Sequence, residues 1–244
     1  MDVSGRVCVV TGAARGIGAA LADAFQRAGA KTVVRADIRS GPDVVQCDVS
    51  REAEIKALIE GVAGEHGRID VFCSNAGIAV GGGPEASDAD WDRIWRINTL
   101  AHVYVARHLV PRMLEQGQGY LVGTVSAAGL LNHVTAMPYA VTKAAALSLF
   151  EWLSINHHDA GLRVSVLCPQ GVKTDMLGFG DSMSKHLAET ALEPAQVAQE
   201  VLQAMRDERF LILPHPEVAR YMANRADDNE RWLRGMRRLR ASLV

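Results

Sequence analysis

The sequence predicts an α/β protein, a doubly wound parallel sheet with helices on both faces. Three observations carry that prediction. Short unbroken apolar runs alternate with amphipathic helical segments over most of the 244 residues, the pattern of strands buried on both faces and joined by helical crossovers. A glycine-rich turn, Gly12-Ala13-Ala14-Arg15-Gly16-Ile17-Gly18, separates the first apolar run from the first helix. Residues with chemistry to offer fall at or just past the ends of the runs, where open α/β sheets bind ligands.

Residues 6–11 contain Val7, Cys8, Val9 and Val10 and read as the first strand. After the glycine turn, Ala19, Ala20, Leu21, Ala24 and Phe25 keep helical spacing, and Gly29 closes that helix. Residues 31–38 supply the second strand. It runs out at Asp37, roughly twenty residues beyond the glycines, where a ribose-binding acid belongs in a dinucleotide site. Residues 44–47 read as a short strand leading to Asp48 and Val49, and Ser50 is expected to cap a helix through about His66. Residues 70–74 form another buried strand, stopped by Asn75-Ala76-Gly77.

Residues 87–97 and 100–114 read as helices that meet near Asn98, and residues 120–126 as a strand that delivers Ser126 at its C-terminal end. Pro138, tolerated in a first helical turn because its missing N–H would be unbonded there anyway, opens a helix carrying Ala144, Ala145, Ala146, Leu147, Leu149 and Phe150. Residues 162–168 are a further strand, 194–206 a helix and 210–213 a last short strand. With no internal repeat, low-complexity segment or linker, the chain is expected to be one domain over residues 1–244. Within it, residues 216–244 form an amphipathic helical extension.

The net charge of -2 gives no global basic field that would argue for nucleic acid or an anionic membrane surface. The N-terminus lacks a cationic region followed by a long apolar one, and no apolar window reaches the length of a membrane span. Cys8, Cys47, Cys73 and Cys168 lie in or beside apolar runs without CxxC spacing; they read as reduced thiols of a cytoplasmic protein, and no metal site is expected.

Tyr139 and Lys143 are one helical turn apart and share a face. An ammonium beside a phenol favours the phenolate, so Lys143 is expected to lower the Tyr139 pKa. Bringing a phenol from about 10 towards neutrality takes about 4 kcal/mol, of which one cation supplies part. A second cation, such as an oxidised nicotinamide ring, could supply the rest while the Ser126 hydroxyl donates a hydrogen bond to the reacting oxygen.

In combination these residues resemble the classical short-chain dehydrogenase/reductase family, from about Arg6 to Leu213. Thr11 to Gly18 is similar to its TGxxxGxG turn, Asn75-Ala76-Gly77 to its NAG motif, and Asn98, Ser126, Tyr139 and Lys143 to its catalytic residues in type, order and spacing. The resemblance implies a Rossmann fold with Tyr139 as general acid/base, Lys143 lowering its pKa and holding the nicotinamide ribose, Ser126 positioning the substrate oxygen, and Asn98 holding a proton-relay water. It implies cofactor contacts from Gly12, Arg15, Gly16, Ile17, Gly18, Asp48, Val49, Asn75, Ala76, Gly77, Pro169, Gly171, Val172 and Thr174. Two departures stand out: Ser74 where a second asparagine is usual, and Gln170 where glycine is usual, which should place Gln170 near the nicotinamide and the reacting carbon.

The Asp37 carboxylate can accept from both ribose hydroxyls and would repel a 2′-phosphate, which favours NAD. Arg15 and Arg39 pull the other way, although each could pair with Asp37 instead. His133 is a candidate substrate contact, and Met176, Leu177, Phe179 and Met183 read as an apolar lid. In the tail, Val218, Tyr221, Met222, Trp232, Leu233, Met236 and Leu239 alternate with arginines at near-helical spacing, an amphipathic basic helix expected to pack on the body or on a neighbouring subunit. The expected activity is NAD-dependent interconversion of a secondary alcohol and a ketone, in a homotetramer or homodimer with no membrane or nucleic-acid partner. The alternatives are an NADPH-dependent ketoreductase of the 3-oxoacyl type and a non-catalytic dinucleotide sensor or scaffold.

Overall fold

The computed structural model describes residues 1–178 and 182–243. Its strands are β1 (Val7–Thr11), β2 (Thr32–Asp37), β3 (Val44–Gln46), β4 (Val71–Ser74), β5 (Gly119–Thr124), β6 (Leu162–Leu167) and β7 (Leu211–Ile212). They form one sheet in the order β3-β2-β1-β4-β5-β6-β7, and every pairing is parallel. The order reverses between β1 and β4, which opens a crevice beyond their carboxyl ends.

Helices α1 (Gly16–Arg27), α2 (Glu52–His66), α3 (Asp88–Trp95), α4 (Ala101–Glu115), α5 (Ala127–Leu131), α6 (Met137–His157), α7 (Ser182–Ala188) and α8 (Pro194–Arg206) follow the strands. Two apolar cores result, one on each face of the sheet. Ile55, Leu109, Met113 and Phe150 from α2, α4 and α6 fill one; Leu21, Phe25, Val201 and Met205 from α1 and α8 fill the other. The strands are completely buried at β1 and β4, as their unbroken apolar runs require. No described helix is long and apolar enough to cross a membrane.

Three local expectations need correction. Arg51, not Ser50, occupies the N-cap of α2, because the Ser50 hydroxyl is drawn to Asp48 Oδ1 at 2.7 Å. The strand before Ser126 ends at Thr124, and Ser126 instead caps the short α5, accepting from the Ala128 N–H at 3.1 Å. The tail forms two helices, α9 (Glu217–Asp227) and α10 (Asn229–Ser242), because Asp228 takes up extended backbone and its side chain accepts from the Arg231 N–H, starting a new helix. Near Asn98 the helices do meet, through a π-turn over Arg96–Leu100, a distortion often found at functional sites.

Candidate active site

A cavity of about 1160 Å3 lies over the carboxyl ends of the strands. One end is the glycine turn. Gly12 and Gly16 have left-handed backbones, with φ of 66° and 60°. At Gly18 a Cβ would stand 2.1 Å from the Gly12 carbonyl oxygen, so only glycine lets α1 start so close beneath the turn. Asn75 holds the turn from the other side: its Nδ2 donates to the Thr11 carbonyl at 2.9 Å, and its Oδ1 accepts from Thr124 Oγ1 at 2.9 Å. Exposed backbone at a helix start, with no side chain in the way, is the cradle a pyrophosphate needs.

Asp37 stands at the end of β2, buried, with Oδ2 accepting from the Ala14 N–H and Oδ1 from the Arg39 N–H, both at 3.0 Å. Neither arginine places its guanidinium on it: Arg39 contributes only main chain, and Arg15 forms its ion pair with Asp175. Asp48 and Val49 line the same end, beside Cys47, whose N–H donates to the Asp37 carbonyl. The residues present therefore fit a dinucleotide, with a carboxylate on the ribose side.

At the other end Ser126, Tyr139 and Lys143 share one wall of the cavity. Pro138 within the first turn of α6 sets that helix so that Tyr139 reaches the cavity, and Lys143 follows one turn later. Lys143 is 2% exposed; its Nζ donates to the Thr124 carbonyl at 2.8 Å and lies 5.7 Å from the centre of the Tyr139 ring. Burial pushes the Lys143 pKa down to about 8. Burial also raises the Tyr139 pKa, against which the Ser126 side chain pulls it down. The expected lowering of Tyr139 by Lys143 is thus not the dominant effect; desolvation sets the direction of the shift.

Asn98 is fully buried. Its Oδ1 accepts from the Ile78 N–H and its Nδ2 donates to the Ile78 carbonyl, both at 2.9 Å, with a longer bond to Thr142 Oγ1 at 3.4 Å. Both of its N–H donors are used, so the side-chain amide is a clamp between the segment after Gly77 and α6.

Gly77, Pro169, Gly171, Val172 and Thr174 line the cavity, as do His133, Met176 and Leu177. The His133 ring meets the Tyr139 ring edge-on with centroids 6.3 Å apart. Met183 is buried on α7, while Phe179 lies outside the described residues. Gln170 also lines the cavity, but its Nε2 donates to Glu217 Oε1 at 2.6 Å and its N–H to the buried His215 Nδ1 at 3.2 Å. Its side-chain amide is therefore turned to α9.

The wall that sequence reasoning missed is the C-terminal one. Tyr221 and Asn224 from α9, and Trp232, Met236 and Leu239 from α10, face into the same cavity. Tyr221 and Trp232 pack with Ala127 and Leu131 of α5, directly after Ser126. The i, i+4, i+7 spacing of Trp232, Met236 and Leu239 signalled a buried face, and nothing in it distinguished a cavity wall from ordinary packing.

The protein-family description "short chain dehydrogenase" matches residues 6–185. The chain is 32% identical to 1-deoxy-11-beta-hydroxypentalenate dehydrogenase of Streptomyces exfoliatus, with 93% of this chain and 90% of that protein covered. It is also 32% identical to a (+)-cis,trans-nepetalactol synthase of Nepeta racemosa, over 88% and 90% of the two chains. Among solved structures, a short chain dehydrogenase/reductase from Burkholderia phymatum in complex with NAD superposes with a TM-score of 0.84 at 28% identity, covering 94% of this chain and 96% of that one. Similarity of that extent, on a sheet that carries the glycine turn at one end of its crevice and Ser126, Tyr139 and Lys143 at the other, makes this chain a member of the short-chain dehydrogenase/reductase family.

Proposed function

We propose that the protein interconverts a secondary alcohol and a ketone with NAD. The observation that carries this reading is the continuity of the cavity: Ser126, Tyr139 and Lys143 share a wall that runs on to the glycine turn and the Asp37 carboxylate. A nicotinamide held by this cavity would supply the hydride acceptor or donor and, in its oxidised form, a positive charge. In the oxidative direction Tyr139 takes the hydroxyl proton while the Ser126 hydroxyl donates to the same oxygen; in reduction Tyr139 returns that proton. Lys143 in its ammonium form offsets the cost that burial sets on the phenolate and offers donors to a ribose. Asn98 is a positioning residue, fixing α6 against the loop after β4.

Asp37 favours NAD, because its carboxylate, already held by two backbone N–H groups, would face a 2′-phosphate with like charge. The four free, buried cysteines suit a reducing cytoplasm. Assembly as a homotetramer or homodimer is supported by Trp152 and Ile155, which stand 58% and 80% exposed on α6. The deciding experiment is a fluorescence titration with NADH and with NADPH, followed by a panel of secondary alcohols. Tighter NADH binding with turnover is expected. Tighter NADPH binding would make Arg15 or Arg39 dominant and turn the reading to ketone reduction. NADH binding without turnover would favour a sensor, and binding of neither would remove the dinucleotide reading.

A further inference from the structure

Two sets of residues on α10 run along the cavity side of the helix. Arg231, Gly235 and Arg238 form one, at i, i+4 and i+7, and Trp232, Met236 and Leu239 form the other beside it. Arg231 and Arg238 are exposed, and at Gly235 an added Cβ would find only Arg238 Nη2 within 4 Å, at 3.9 Å, so the Arg238 side chain lies back along the helix over the glycine, on the side of Arg231. The arginines stand about 10 Å apart along the axis, at 1.5 Å per residue. Trp232, next to Arg231, packs with Leu131 of α5, the helix capped by Ser126, which places this stripe on the substrate side of the cavity.

Most other charges around the cavity are taken up, the exception being Arg39 beside Asp37, whose guanidinium forms no ion pair among the described residues. Arg15 pairs with Asp175, Lys173 with Glu193 at 2.6 Å, and Lys143 donates to the Thr124 carbonyl. On the cofactor side, Asp37 and Asp48 accept from backbone and from Ser50. What remains away from the cofactor end is Arg93 of α3, Arg231 and Arg238 against one carboxylate, Asp227. None of these three arginines has an ion-pair partner among the described residues. A cavity wall that joins Trp232, Met236 and Leu239 to unpaired guanidiniums matches a molecule with an apolar body and an anionic end, since guanidinium binds carboxylate through paired, charge-assisted hydrogen bonds.

We propose that the substrate is an amphipathic anion: a secondary alcohol or ketone on an apolar body whose far end carries a carboxylate or similar group, held by Arg231 and Arg238. This rests on the alcohol–ketone reading, but its test does not need turnover. The full-length chain is titrated calorimetrically with octanoate and with octanamide, at low and at physiological salt. Octanoate is expected to bind at least tenfold tighter than octanamide at low salt, with the ratio shrinking as salt screens the arginines. In Arg231→Gln/Arg238→Gln the ratio should fall to near one. In Arg234→Gln/Arg237→Gln, which removes charge from the same helix outside the cavity lining, it should persist. Equal binding of the two probes by wild type overturns the proposal. So does a preference that survives loss of Arg231 and Arg238, or one lost equally in the second variant. An intact preference in a protein that binds NADH but oxidises no alcohol would instead count against the hydride-transfer reading alone.

Discussion

Lys143→Met should stabilise the protein while removing its activity. In the folded chain the Lys143 ammonium is buried and its pKa sits at about 8, against 10.5 for the free side chain. Those two and a half units correspond to about 3 kcal/mol of destabilisation, at about 1.4 kcal/mol per unit. Below pH 8 both folded and unfolded chains hold the proton, and the full cost is present. Between pH 8 and about 10.5 the unfolded chain keeps the proton that the folded chain has given up, so wild-type stability rises with pH across that window. Methionine has nearly the same length and no charge to desolvate, but it leaves the Thr124 carbonyl without the 2.8 Å bond from Nζ, a loss of about 1–2 kcal/mol. The net gain at pH 7 is therefore about 1–2 kcal/mol, or roughly 2–8 °C in Tm for a chain of this size. Urea denaturation of both proteins at pH 7 and pH 9.5 reads this directly. The advantage of the variant should shrink by about 2 kcal/mol at the higher pH, one and a half units above the folded pKa. A variant less stable than wild type at pH 7, with a difference that does not change with pH, would refute the argument that Lys143 is held against a desolvation cost.

Tyr139→Phe should keep NADH affinity within a few-fold of wild type and reduce kcat by about 100- to 10,000-fold, the range of general acid–base catalysis; steady-state kinetics with any accepted alcohol measure it, and near-wild-type kcat would place the proton transfer elsewhere. Gly18→Ala should cost about 1–3 kcal/mol and at least tenfold in dinucleotide affinity, because the added carbon would meet the Gly12 carbonyl at 2.1 Å and Asn75 Nδ2 at 2.6 Å, where the carbonyl belongs to backbone that cannot swing away. Wild-type NADH binding by that variant would show that the turn does not need its close approach.

The parallel sheet and the wall that carries Ser126, Tyr139 and Lys143 were legible because local signals agreed with the fold. Continuous apolar strands, the glycine turn and the Pro138 helix start each have one physical reading, and the order of the elements left one crevice for them to meet in. What was not legible depended on contacts distant in sequence. The Gln170 amide points to α9 because Glu217, 47 residues on, accepts from it. The tail breaks at Asp228 because an aspartate that suits a helix interior poorly serves well as an N-cap, and its amphipathic spacing did not reveal the break. The direction of the Tyr139 shift required the burial of both partners, which a four-residue spacing cannot supply.

The family match ends at residue 185, whereas α9 and α10 begin at Glu217. Ser126, Tyr139 and Lys143 and the far wall of the cavity thus lie on separate lengths of sequence. Divergence in the final helical pair can reshape what the cavity admits while Ser126, Tyr139 and Lys143 stay as they are. The Gln170–Glu217 bond is one tether between those two lengths, linking the loop after β6 to the first of the two helices, alongside the packing of Tyr221 and Trp232 on α5. A change of selectivity that moves α9 would therefore be felt at that loop.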